Sequence, residues 1–241
     1  MTIFRWKNCR ADIYASKHDL TIQSFLDNVV QPSIQFLETK ISELHCSEDE
    51  TVIFEISAMG DVLRETKLAF CLSIQSIWER QLRGYLKGCA NQLRPEDNLD
   101  QKIEQADWPK LCSIFLTLRG IALSQFPSYK DLETLHLLGN ACRHGDGASA
   151  VQLLKQDPGL WPPRPPMPPE FQVQPENTRP VAMMDIPTSR IIAFVEAIVM
   201  FWGDMEYIYN ESIDRKHPSL EARLVIERSE RSWLPRAAQS N

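Results

Sequence analysis

Asn140, Arg143 and His144 are the residues whose types and spacing most directly suggest chemistry in this chain. They fall within Leu137-Leu138-Gly139-Asn140-Ala141-Cys142-Arg143-His144-Gly145-Asp146-Gly147, an apolar helical run that stops in glycines. Residues four apart on a helix project about 40° apart, so the Asn140 amide and the His144 imidazole share one face. Arg143 lies about 100° around the helix from His144. Imidazole moves protons near neutral pH, and guanidinium holds phosphate through a planar fork of donors. The same residues have a plain structural use. Gly145 suits the left-handed position that closes a helix, while Arg143 and His144 suit the last turn, where free carbonyls favour cations.

The stretch resembles the signature of the HEPN superfamily of small helical proteins. Its ribonuclease members carry an arginine, a polar residue, three variable residues and a histidine near the end of a core helix. Asn140 and His144 match that pattern, and Gly139 stands where the arginine would be. Leu138 to Leu153 is similar to a bacterial subgroup reading Asn-Ala-x-Lys/Arg-His-Gly-x-Gly-x-Ser-Ala-x-x-Leu. Glu79, in Trp78-Glu79-Arg80-Gln81-Leu82, resembles the polar position of a second HEPN helix.

The resemblance implies an all-α, HEPN-like helical bundle and a bacterial defence or toxin–antitoxin setting. In the ribonuclease members, arginine and histidine cut RNA without a metal, usually from two motifs joined across a dimer. Arg143 is the substitute available here. Three functions remain open. One is a noncatalytic module engaging RNA, a nucleotide or a protein partner around Asn140, Arg143 and His144. Another is a metal-independent endoribonuclease using His144 with Arg143. The third is a helical interaction protein without an active site.

Arg80, Arg83 and Lys87 recur at i, i+3 and i+7 and form a basic strip. Such strips are usually solvated helix faces, and an RNA-backbone groove is the alternative. His136, Asn140 and His144 line up at i, i+4 and i+8 and could ligate a metal, although the usual role of a lone histidine on a leucine-rich helix is a hydrogen-bonded core or rim residue. Cys142 has basic neighbours that favour thiolate but no evident relay, so a buried structural thiol is expected. Phosphate-loop, dinucleotide and His-Glu-x-x-His signatures are absent from the sequence, so no cofactor and no metal is implied.

A net charge of −6 gives no global footprint for nucleic acid, which leaves only local basic surface for that role. No uninterrupted apolar run is long enough to span a membrane, and Met1 to Lys7 lacks the order of a signal peptide. Six scattered cysteines without a Cys-x-x-Cys pair suggest reduced thiols and a cytoplasmic setting.

Five segments must position these residues. Residues 1–17 read as an extended or partly ordered N-terminal segment, and 18–156 as the helical core. The core holds a helix from Asp19 to Leu44 divided by Pro32, another over 61–93, one over 108–125 and the motif helix over 129–144. A short helix should follow through Lys155. Thr51 to Ile56 reads as β-like but isolated. The Pro-rich traverse of 157–187 cannot hold an interior helix, and Trp161, Met167 and Phe171 suggest that it packs on the body. A final core helix over 188–213 has an apolar face wide enough for burial within a monomer or in a homodimer. The tail, 214–241, reads as fraying.

Overall fold

The computed structural model describes residues 3–47, 50–163 and 179–236. Its α-helices are α1 (Arg10–Ala15), α2 (His18–Phe25), α3 (Gln31–His45), α4 (Ile53–Leu93), α5 (Asp100–Gln105), α6 (Trp108–Arg119), α7 (Tyr129–His144), α8 (Ala148–Gln156), α9 (Thr188–Glu211) and α10 (Pro218–Glu230). No strand occurs among the described residues, and the fold class is an all-α bundle. Among those residues no helix is long and apolar enough to cross a membrane.

Several elements differ from the sequence reading for local physical reasons. Thr51 to Ile56 is helical: a 3₁₀ turn at Glu50–Val52 leads into α4. A β-branched run needs a partner strand, and the described chain has none to offer. Pro32 does divide its helix, but through a π-helical turn at Leu26–Val30 and not a break. The wider turn absorbs the hydrogen bond that proline cannot make. Gly120, at φ +72°, closes α6 at Arg119, six residues earlier than the expected end at Gln125. The N-terminal segment holds α1, and its Trp6 and Cys9 are buried. The tail is α10, with Leu224 fully buried, so through Glu230 it does not fray.

The chain forms two compact units. One gathers residues 1–21, 78–130 and 197–241. Its core is aromatic: Phe201 packs against Trp78, Phe115, Phe126 and Trp202 at ring separations of 6.2, 6.2, 5.1 and 5.0 Å. Offset and edge-on pairs of this kind add to what area burial alone supplies. Arg228 fixes α10 to α9 through both carboxylate oxygens of the fully buried Glu211, at 2.6 and 2.8 Å. Arg231 adds an ion pair to Asp204 and lies over the Tyr207 ring.

The other unit gathers residues 22–77 and 131–196 and contains the motif. Ile22, Leu26, Val30 and Ile34 contribute one buried stripe; Leu132, Leu135 and Leu138 of α7 contribute another. Arg190 joins Asp131 at 2.6 Å and Asp157 at 3.0 Å, linking the starts of α7 and α9 to the end of α8. The Pro-rich traverse is described at its two ends only. Trp161 is buried there, and its indole N–H donates to the Pro180 carbonyl at 2.9 Å. Met167 and Phe171 lie outside the described residues. Ile191, Phe194, Val195, Ile198, Phe201, Trp202, Met205 and Ile208 of α9 are buried within the single chain, while Met200 is exposed.

Candidate functional site

Helix α7 ends as its composition dictates. Gly145 adopts φ +71°, and its N–H donates to the Ala141 carbonyl at 2.8 Å. A β-carbon would make that conformation costly, so the glycine fixes where the helix stops. Asp146 then accepts the Val181 N–H at 2.7 Å, anchoring the far end of the Pro-rich traverse to the turn. That role as an anchor depends on a partner thirty-five positions away and leaves no local sequence signal.

The three candidate residues do not converge on one point. The half-buried Asn140 turns back along the helix and donates to His136 Nε2 at 3.0 Å. That bond gives His136 the hydrogen-bonded rim position expected of it. Arg143 reaches the other way, toward Gln75 Oε1 of α4 at 3.4 Å, a long contact. His144 is exposed at the helix end, and among the described residues no hydrogen bond or ion pair holds it.

Gly139 sits where α7 leaves no room for a side chain. A β-carbon at that position would lie 2.6 Å from Gln75 Cγ and 2.9 Å from both its Cβ and Cδ. Gln75 is fully buried, so the crowding falls on the base of a packed side chain and not on a free tip. Any residue larger than glycine must push α7 and α4 apart or evict Gln75. Gly139 and Arg143 are one turn apart, and helical side chains lean toward the N-terminus. Arg143 therefore ends at the same Gln75 that fills the place of a residue-139 side chain.

Beside the helix end lies a groove of about 450 Å³ lined by Glu65, Leu68, Leu72, Ala141, Cys142 and Asp146 among others. Its charged lining is acidic. Burial, with Glu65 adding to it, pushes the Cys142 thiol up to about 12, so the sulfur stays protonated despite its basic sequence neighbours. Among the described residues, no three His, Cys, Asp or Glu side chains gather as metal ligands.

The basic strip belongs to the other unit. Arg83 pairs with Glu79 at 2.6 Å and donates to the carbonyls of Ile103, Glu104 and Ala106 at the end of α5. A guanidinium that satisfies a helix's last carbonyls is committed to the fold. Lys87 pairs with Glu104. Arg80 is exposed. Glu79, which resembled a HEPN polar position, is thus the partner that orients Arg83.

No family model matches the chain, and no curated protein or solved structure matches it either.

Proposed function

We propose that the protein is a noncatalytic HEPN-like module that uses the exposed end of α7 to engage an anionic partner: RNA, a nucleotide or an acidic protein segment. The observation that carries this reading is the packing of Gly139 on Gln75, which leaves no room for a side chain at the position the resemblance aligns with the arginine of that family's ribonucleases. Without that cation, a developing phosphorane has lost its main stabiliser, and such stabilisation is usually the largest part of catalysis. Arg143 and His144 still offer a guanidinium and an imidazole from different sides of the last turn of α7. The acidic lining of the adjacent groove, with Glu65 and Asp146, confines an anion to that helix end. A defence or toxin–antitoxin setting rests on the resemblance alone.

One observation favours a second reading. Arg143 reaches Gln75, beside the place of the missing arginine, while His144 stands exposed. A metal-independent endoribonuclease would use this pair, His144 as acid or base and Arg143 on the phosphate.

Binding is tested by titrating a fluorescent single-stranded RNA and a fluorescent nucleotide into wild type, Arg143→Ala and His144→Ala. The proposal expects at least one probe to bind, with weakening of about tenfold on loss of Arg143, worth about 1.4 kcal/mol. Binding that is unchanged in both variants would remove the α7 end from the interaction.

A further inference from the structure

A second cluster of reactive groups lies in the unit that does not contain the motif. Cys9, the residue preceding α1, places its Sγ 3.4 Å from Sγ of Cys89 in α4. The sulfurs touch, although eighty positions separate them in the sequence. Both are reduced and buried, Cys9 with 5% exposure and Cys89 with none. The surroundings are polar. Arg119 Nη1 lies 4.0 Å from the Cys9 sulfur, and its Nη2 bonds Asp12 at 2.8 Å. The guanidinium is sandwiched near the Trp6 and Tyr85 rings, 3.8 and 5.6 Å from their centroids. Asp12 also accepts the Cys9 N–H at 2.7 Å and the Tyr85 hydroxyl at 2.8 Å, which fixes the turn that presents Cys9.

We propose that Cys9 and Cys89 are a dithiol pair that hydrogen peroxide converts into a disulfide. Cys9 is the attacking sulfur, because the Arg119 cation and the Cys89 thiol both favour its thiolate. The Cys89 hydrogen bond is the main influence holding the Cys9 thiol below its ordinary value, against the opposing effect of burial. That same bond, with burial adding to it, holds Cys89 in the thiol form.

In the first step Cys9 Sγ bonds to one peroxide oxygen as the O–O bond breaks. The other oxygen leaves as water, taking the proton lost by Cys9. In the second, Cys89 Sγ bonds to the oxidised Cys9 sulfur, the S–O bond breaks, and the oxygen leaves as water with the Cys89 proton. Two thiols lose two electrons and two hydrogens, and one hydrogen peroxide becomes two waters. The bond would tie the N-terminal segment to α4, and closing so long a loop restricts the unfolded chain.

The test uses the full-length protein, reduced and then exposed to graded hydrogen peroxide. The remaining thiols are alkylated in denaturant and the peptides mapped without reductant. The expected result is a fall from six alkylatable thiols to four, with a Cys9–Cys89 peptide pair that dithiothreitol releases. The oxidised protein should also melt at a higher temperature than the reduced one. Cys89→Ser, a near-isosteric change, should leave a Cys9 sulfenic acid that dimedone traps. Full alkylation of Cys9 and Cys89 in wild type, at peroxide doses that oxidise the exposed Cys46, would overturn the proposal and needs no variant to fold.

Discussion

Replacing Gly139 with alanine sets two effects of opposite sign against each other. Alanine is favoured over glycine in a helix interior by about 0.8–1.0 kcal/mol. Its β-carbon would meet three Gln75 carbons at 2.6, 2.9 and 2.9 Å. Carbon contacts are optimal at about 3.5–4.0 Å, so the overlap is on the order of 1 Å. Overpacking a closed core costs about 1–3 kcal/mol, and here the nearest atoms sit at the base of a fully buried side chain, which cannot swing aside. The upper half of that range applies, which leaves Gly139→Ala destabilised by about 1–2 kcal/mol after the helix gain. Urea unfolding of wild type, Gly139→Ala, Gln75→Ala and the double variant gives the coupling directly. Gln75→Ala removes Cγ and Cδ, so the two changes should compensate by about 1 kcal/mol or more. Stabilisation by Gly139→Ala in the wild-type background would show that propensity wins. The account of the crowding at residue 139 would then fail.

Other regions give independent checks. Arg228→Ala should cost about 3 kcal/mol, the low end for breaking a buried pair because Arg228 keeps 24% side-chain exposure; a urea midpoint unchanged from wild type would show that α10 is not held by Glu211. Cys142, pushed up to about 12, should stay unmodified by maleimide at neutral pH while the exposed Cys46 reacts, and prompt labelling of Cys142 itself, read by peptide mapping, would contradict the protonated, half-buried thiol. Burial lowers the His18 pKa, opposed by Asp19, and its ring packs on Trp202 at 4.6 Å. The folded protein therefore resists a proton that the unfolded chain accepts. The stability contribution is intact above the unfolded pKa near 6.5 and is lost as pH falls through the lower folded value. Wild type should lose urea resistance below that pH faster than His18→Gln; parallel pH profiles would argue against it.

The sequence disclosed those parts of the fold whose causes are local. Gly145 with Arg143 and His144 marked the end of α7, and the spacing of Leu132, Leu135 and Leu138 marked its inward face. Pro187 marked the start of α9. The helical start of α4 was hidden because Thr51 to Ile56 is rich in β-branched and aromatic residues like a strand, and only the lack of a pairing partner among the described residues decides against it. The tail was hidden differently. His217, whose ring caps the Ser219 N–H, and Pro218 in the first turn signal α10, yet the charges that follow look solvated until Glu211 and Asp204 are seen opposite Arg228 and Arg231. In the candidate site, the absence of an arginine at residue 139 was legible. The crowding at that position was not, because Gln75 lies on another helix. The Glu79–Arg83 pair could be read from i, i+4 spacing, whereas the α5 carbonyls that hold Arg83 could not.

The most direct test of the noncatalytic reading is a single-turnover cleavage assay with excess protein over end-labelled structured RNA, with and without chelator, for wild type and His144→Ala. The account predicts no cleavage that depends on His144. Wild-type cleavage that survives chelator, leaves a 2′,3′-cyclic phosphate and falls about 10²-fold or more in His144→Ala would contradict it.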